Sequence, residues 1–495
     1  MNFPPNSPFS SPSPAFPTGG PFSALGSAPS SAPGPDTTQM TIQQALEIAL
    51  QHHNAKDYVQ AEQIYRQILA QHPTNSDALH LLGLVAHIHN RNDIALDLVG
   101  RATQLAANVA PFWNTLGEVN RVLGRLDMAY HCYQKALRFH PDMPEALNNL
   151  GILHAYRCEI DKSVASFERA ISLRADYPEA HDGLGLTLLL AGQLRRGWTE
   201  QEWRWKKDVL AAARRNFTQP MWKGEDVTGK RFLVHAEQGF GDVIQFCRYV
   251  PLLKAAHNPH LIFEVPPELE SLLRTLGGFD ELIVKNTTSN AHLPPFDVQC
   301  PLMSLPLIMG TDLDTIPANV PYLTVDHAKA AAWKVRLDAL GPGLKVGVGW
   351  AGRPTHPRDA GRSMQLAQFA PFAQIPGVKL ISFQKGDAVA QIAKHPGIIS
   401  LDIGAELNDF SDSAALVSQL DVVLAVDTSL VHLAGSLGKP FFVLLPHSPD
   451  WRWLLNRSDN PWYPTGRLFR QVYDQVWTHP IEEARAALAE FTLRM

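Results

Sequence analysis

The chain has 495 residues, 45% of them hydrophobic, with 43 Lys and Arg against 48 Asp and Glu for a formal net charge of −5. That length suits about three domains at the usual ~150 residues each, and such a hydrophobic share fills real cores. The faintly acidic balance gives no global reason to expect a nucleic acid or an anionic membrane as partner.

Four cysteines, Cys132, Cys158, Cys247 and Cys300, form no CxxC or Cys/His cluster. They read as packing residues in a reducing compartment, without structural zinc. The N-terminus lacks a basic segment followed by an apolar one, and no stretch approaches the ~20 apolar residues that span a bilayer. A cytoplasmic location is therefore the default expectation.

In chain order, residues 1–38 are dominated by Pro, Ser, Gly, Ala and Phe, a composition that buries too little apolar surface to offset ordering entropy, and are expected to be a disordered tail. From Thr41 a period appears. Gly83, Gly117, Gly151 and Gly185 stand 34 apart, each preceded by leucine, and 34 is the tetratricopeptide (TPR) period. Ala61, Ala95 and Ala129 fall in phase, as do Tyr65, Val99, Tyr133 and Phe167 four residues on. Small residues let paired helices approach, and the aromatics are expected to fill the space between neighbouring repeats. The reading is a solenoid over 42–205, with a fifth repeat that degrades around Trp198, Trp203 and Trp205, tryptophans expected to pack against the next domain. The solenoid's groove implies a protein partner.

Beyond Pro220 and Trp222, short apolar runs alternate with helical segments, the α/β signature. Strands are expected at 231–235, 261–265, 281–284 and 296–299, with a helix over 243–256, giving a domain at 218–325. After a linker at 325–343, strands at 345–350, 378–383, 422–426 and 441–445 and a final helix over 481–492 give a second domain at 344–495. Two such domains leave a cleft between them, a preferred ligand site.

Four stretches carry candidate chemistry. Glu237-Gln238-Gly239-Phe240-Gly241-Asp242 follows the first strand, and its glycines admit a substrate to the backbone, while Asp242 is either a carboxylate facing the cleft or a helix cap. The loop 350–363, with Gly352, Arg353, Arg358, Arg362 and His356, is an electropositive set suited to phosphate oxygens, and Gln384 and Lys385 end the next strand on the same sheet edge. Asp427-Thr428-Ser429 ends the buried run 422–426 where a helix starts, a phosphate-sized corner with His432 one turn in. Asp450-Trp451-Arg452-Trp453 and the aromatics and arginines at 461–471 read equally as a sugar or base pocket and as interdomain packing, outside the catalytic set. Asp312-Leu313-Asp314 reads as a chance match to a metal-nucleotide motif.

Together, the repeats with Glu237-Gln238-Gly239-Phe240-Gly241-Asp242, Arg362-Ser363, Asp427-Thr428-Ser429-Leu430-Val431-His432-Leu433-Ala434-Gly435 and Asp450-Trp451-Arg452-Trp453 resemble bacterial proteins that fuse TPR repeats to a GT-B glycosyltransferase domain. Some of that group modify flagellin. The C-terminal half is similar to heptosyltransferases, and the overall plan looks like protein O-GlcNAc transferases. The resemblance implies two Rossmann-like domains facing a cleft, a nucleotide-sugar co-substrate, no other cofactor, no metal, and inversion at the anomeric carbon. It assigns the catalytic base to Asp242 and the donor diphosphate to Asp427, Thr428 and His432, with Arg362 standing in for the family's lysine and Ser429 where glycine is usual. The expected function is transfer of a sugar to a hydroxyl of a protein held by the repeats, with catalytic residues Asp242 and His432. Donor binding is expected at Gly352, Arg362, Gln384, Lys385, Asp427, Thr428, Ser429 and His432, and the acceptor side at Glu237, Gln238, Gly239 and Gly241. The competing reading is an inactive TPR scaffold with a degenerate GT-B domain.

Overall fold

The computed structural model describes residues 21–22, 40–207, 215–237, 239–286, 290–356, 358–473 and 476–493. The expected tail at 1–38 lies outside them except for 21–22, as does Gln238. The chain divides into two compact units, one ending at residue 180 and one running from 181.

The first unit is built of helix pairs: α1 (Ile42–Asn54) with α2 (Tyr58–Gln71), α3 (Ser76–Ile88) with α4 (Asn92–Leu105), α5 (Ala110–Val122) with α6 (Leu126–Phe139), and α7 (Pro144–Tyr156) with α8 (Ile160–Leu173). Thr41 opens α1 with a capping box closed by Gln44, and Asp57 and Asn75 cap α2 and α3, each satisfying an orphan N–H of the first turn. Two of the 34-residue glycines meet aromatics within their own repeat. A Cβ at Gly117 would lie 2.5 Å from the Tyr133 ring, and one at Gly151 would lie 2.9 Å from Phe167. Tyr133 also packs with Leu150 and Leu153 of the next repeat, in the inter-repeat space the aromatics are expected to fill, so the ring bridges both contacts. A fifth pair, α9 (Pro178–Leu190) and α10 (Leu194–Gln201), follows.

The second unit contains two parallel sheets. In the first, β1 (Arg231–His235), β2 (His260–Val265), β3 (Glu281–Val284) and β4 (Val298–Pro301) lie in the order β3-β2-β1-β4. The helix expected over 243–256 is two helices, α11 (Phe240–Phe246) and α12 (Tyr249–His257). Pro251 has no N–H to offer the Cys247 carbonyl, which takes the Val250 N–H instead, and the chain bends there. The linker carries a helix, α13 (His327–Asp338), capped by Asp326.

The second sheet orders β5 (Leu344–Gly349), β6 (Val378–Ser382), β7 (Leu401–Asp402), β8 (Val422–Val426), β9 (Phe441–Leu445) and β10 (Gly466–Arg470) as β10-β9-β8-β5-β6-β7. Read from β7, this is the doubly wound 3-2-1-4-5-6 order, whose switch point falls between β5 and β8. All five residues of β8 are fully buried, as a central parallel strand covered on both faces requires; each such apolar side chain contributes roughly 1.5–3 kcal/mol over its exposed state. Helices α14 (Phe410–Ser418) and α15 (Ser429–Ser436) precede and follow β8, and the final helix, α16 (Thr478–Thr492), joins that core through Ile481, Ala484 and Leu488 beside Phe442 and Phe469. A TPR-type helical solenoid followed by two Rossmann-like sheets is the GT-B plan with repeats in front. Among the described residues, no helix is long and apolar enough to cross a membrane.

Candidate active site

The turn after β1 and the turn after β8 meet. Gly239 adopts φ +51, a left-handed conformation that glycine takes without penalty, and a Cβ there would lie 2.4 Å from Asp242 Oδ2. The turn thus folds the Asp242 carboxylate back over itself at the start of α11. Next to it, Gly241 lets the backbone press on the ring of His432, which a Cβ would approach to 2.9 Å. His432 lies on α15 (Ser429–Ser436), the helix that follows β8.

Asp242 retains 27% of its side-chain exposure and binds Arg452, whose Nη2 donates to Oδ1 at 2.5 Å. Burial pushes the Asp242 carboxyl up to about 6, against the pull of Arg452 and with the help of Asp450, Glu237 and Asp427. That is the range in which a carboxylate serves as general base near neutral pH. The expected helix-cap alternative is not realised: Gly239 precedes α11 and no side chain caps it.

His432 is buried, its Nδ1 is 3.1 Å from the Tyr463 hydroxyl, and its ring stacks on Trp453 with centroids 5.4 Å apart. Burial, reinforced by Arg452, lowers its pKa to about 3, so the imidazole is neutral at physiological pH. It lies against Gly241, next to Asp242 in the chain, and presents a neutral ring.

The donor-side residues separate into two kinds. Thr428 precedes α15 in extended conformation with no side-chain cap bond, and Ser429 opens the helix; helix starts carry backbone N–H groups without intrahelical partners. Asp427 is raised by burial and by Asp450, with Arg362 opposing. Arg362 donates from Nη1 to the Asp427 carbonyl at 2.9 Å, while its buried Nε has no hydrogen-bond partner among the described residues and lies 3.5 Å from Asp359 Oδ1 in an ion pair. A Cβ at Gly352 would lie 2.7 Å from Arg362 Nη2, so that glycine makes room for the guanidinium. These groups gather at the β5/β8 switch point.

Gln384 is the other kind, and its expected donor contact is corrected. Its Oε1 accepts the N–H groups of Trp350 and Ala351 at 3.0 and 2.9 Å, and its Nε2 donates to the carbonyls of Ala351 and Lys385. Every hydrogen-bonding position of the amide is spent bracing the end of β5. Lys385, exposed, donates to the Leu407 carbonyl. Arg358 reaches across to Ser448 and Pro449, tying the basic loop to the end of β9, and His356 is lowered to about 4 by burial and by Arg362.

On the acceptor side, Glu237 is also corrected. It receives Arg204 in a two-pronged pair at 2.9 Å for each bond and takes the Met303 N–H at 3.0 Å, so it anchors the turn instead of facing a ligand. Trp198 packs on Phe246, Trp451 and Trp462 and donates from Nε1 to the Thr311 carbonyl, the contact expected of it. Trp203 stacks on His181 within the last repeat, and Trp205 lies under Arg204. Asp312 pairs with Arg195 and turns the chain through Thr315, a structural role for the discounted acidic motif.

Sequence reasoning missed Arg248, and it left Arg452, named within Asp450-Trp451-Arg452-Trp453, outside the catalytic set. Arg248, buried, donates to the carbonyls of Trp462 and Pro317 and to the Tyr322 hydroxyl. A buried arginine must be paired, and arginines set among tryptophans in Asp450-Trp451-Arg452-Trp453 were the signal available.

No family model matches the chain. It is 27% identical over 324 residues to Protein FlbA of Caulobacter vibrioides, across 62% of this chain and 54% of FlbA; the chain thus spans about half the length of that curated relative. Among solved structures it is similar to a glycosyl transferase family 9 structure from Veillonella parvula, with 12% identity, 55% of this chain and 100% of that one covered, and a TM-score of 0.42. It is also similar to MamA, with 21% identity, 33% of this chain and 96% of that one covered, and a TM-score of 0.29.

Proposed function

We propose that the second unit is a glycosyltransferase that moves a sugar from a nucleotide-sugar to a hydroxyl of a protein recruited by the TPR repeats, with flagellin among the acceptors to test. The observation that carries this reading is the apposition of Asp242 to the start of α15 through the Gly241–His432 contact. A carboxylate with a pKa of about 6 lies across from a helix start and an arginine that suit a diphosphate.

In this reading Asp242 takes the proton of the acceptor hydroxyl. The oxygen then bonds to the anomeric carbon as the bond from that carbon to the diphosphate oxygen breaks, and the electron pair leaves on the nucleoside diphosphate. The helix start after Thr428 and the Arg362 guanidinium receive the developing charge. Attack from the Asp242 side, opposite the departing diphosphate, inverts the anomeric centre. No metal is assigned a step, and the reaction takes place in the cytoplasm, where nucleotide-sugars are made.

The test is a thermal-shift screen of UDP-, GDP- and CMP-sugars. One of them should raise the melting temperature of the wild type, with a smaller rise for Arg362→Ala. No rise with any donor would favour a scaffold without transferase activity.

A further inference from the structure

Arg452 sits on the turn after β9, between Trp451 and Trp453, and is 8% exposed. Each arm of its guanidinium has a separate acceptor. Nε donates to Gln245 Oε1 at 2.7 Å, Nη1 to Asp450 Oδ1 at 2.8 Å, and Nη2 to Asp242 Oδ1 at 2.5 Å. Gln245 and Asp242 belong to α11 of the first sheet, whereas Asp450 and Arg452 follow the second. The guanidinium is therefore a joint between the two halves of the cleft.

Its backbone is fixed too. The Arg452 N–H donates to Asp450 Oδ1 at 3.1 Å, and its carbonyl accepts from Asn460 Nδ2 at 3.2 Å. Asn460 Oδ1 holds the N–H groups of Trp462 and Tyr463, and the Tyr463 hydroxyl meets His432 Nδ1. One network thus joins the residue on the acceptor turn to the residue on the donor helix. A planar fork makes three such bonds at fixed angles, which a lysine does not.

We infer that Arg452 is a positioning residue, a latch carried by the second sheet that fixes the Asp242 carboxylate of the first. Its consequence for catalysis rests on the transferase reading above; the latch itself does not. Oδ1 is held by the guanidinium, while Oδ2 lies over Gly239. The groups that act on Asp242 are Arg452 and Asp450 from the turn after β9, Glu237 from its own turn and Asp427 from the end of β8, while the neutral His432 of α15 packs on Gly241 next to it. Three of them are carboxylates, and Arg452 is the cation that opposes them.

The sign of the effect follows. Folding raises the Asp242 pKa from 3.8 to about 6, so its contribution to stability is present at low pH and is lost as pH rises through that interval. Without Arg452 the carboxyl holds its proton to still higher pH, and the loss extends above pH 6.

The test uses the full chain as wild type, Arg452→Gln, Arg452→Lys, Asp242→Asn and the double variant Asp242→Asn/Arg452→Gln. Between pH 6 and 8 the melting temperature of Arg452→Gln should fall on the order of 2 °C further than that of the wild type. That excess should vanish in the double variant, because Asp450 and Asp427 remain there and only Asp242 is gone. Arg452→Lys should show a smaller fall of the same sign, and it serves as the reporter if Arg452→Gln does not fold. A pH dependence parallel to the wild type, or an excess that persists in the double variant, overturns the latch.

A second arm reads transfer of labelled sugar from UDP-, GDP- and CMP-sugars onto protein of a strain lacking this gene. The acid limb should move from about pH 6 to higher pH in Arg452→Gln and by less in Arg452→Lys; an unmoved limb in Arg452→Gln also overturns the latch. Absence of transfer by the wild type with every donor defeats the transferase reading, and the latch is then decided by the melting arm.

Discussion

Gly241 and His432 touch across the cleft: a methyl group at 241 would lie 2.9 Å from the imidazole Cδ2. The ring is held from behind by Trp453 and at Nδ1 by Tyr463, so it has little room to give. Gly241→Ala should therefore cost about 1–3 kcal/mol in a urea titration, the usual toll of overpacking, and should also abolish the donor-induced rise in melting temperature. An alanine variant as stable and as responsive as the wild type would mean that this contact does not set the cleft.

Activity should rise with pH through about 6 as Asp242 gives up its proton, because burial holds the carboxyl above its ordinary range. Asp242→Asn should lose about 10²- to 10⁴-fold in kcat/KM, the usual worth of a general base. No second limb near 6.5 is expected, since His432 is already neutral there. A pH profile with an imidazole limb that disappears in His432→Gln would reverse the two roles.

Arg204 and Glu237 are each buried to within 7% of full, and they face each other in a two-pronged pair. Breaking such a pair strands a buried charge, so Glu237→Ala should destabilise the protein by about 3–5 kcal/mol in chemical denaturation. A residue that only contacted an acceptor would raise KM and leave the unfolding midpoint unchanged.

Gln384→Ala removes the acceptor of two backbone N–H groups at the end of β5. Leaving buried donors unmatched costs about 1–3 kcal/mol, and the loop that carries Gly352 and Arg362 loses its brace. The expected outcome is lower stability together with weaker donor binding. Weaker binding with an unchanged urea midpoint would restore Gln384 as a direct ligand.

Much of this architecture was legible in the chain. The run 422–426 is apolar without interruption because β8 is covered on both faces, and the 34-residue glycines recur because the partner helix presses on each, through Val99 at Gly83, Tyr133 at Gly117, Phe167 at Gly151 and Gln201 at Gly185. The edge strands of the second sheet were not legible: β7 has two residues, and β10 carries Arg467 and Arg470 around Leu468 and Phe469, a charged pattern that suits an edge and that mimics a binding pocket. The break between α11 and α12 was written in Pro251. The site was half legible. Asp242 and His432 stand in the first turns of helices that follow strand ends, a local pattern, whereas Arg452 meets Asp242 across 210 residues of sequence, a pairing that only the folded chain reveals. Gln384 and Glu237 have the residue types of ligand contacts, but folding gives them backbone and arginine partners first.

The central claim, that Asp242 activates an acceptor hydroxyl for glycosylation, is tested most directly by intact-mass spectrometry of proteins from cells expressing the wild type or Asp242→Asn at matched levels. The account predicts a protein that carries glycan mass with the wild type and lacks it with Asp242→Asn, while the variant keeps its fold by circular dichroism. Equal glycan mass on that protein in both cells would contradict it.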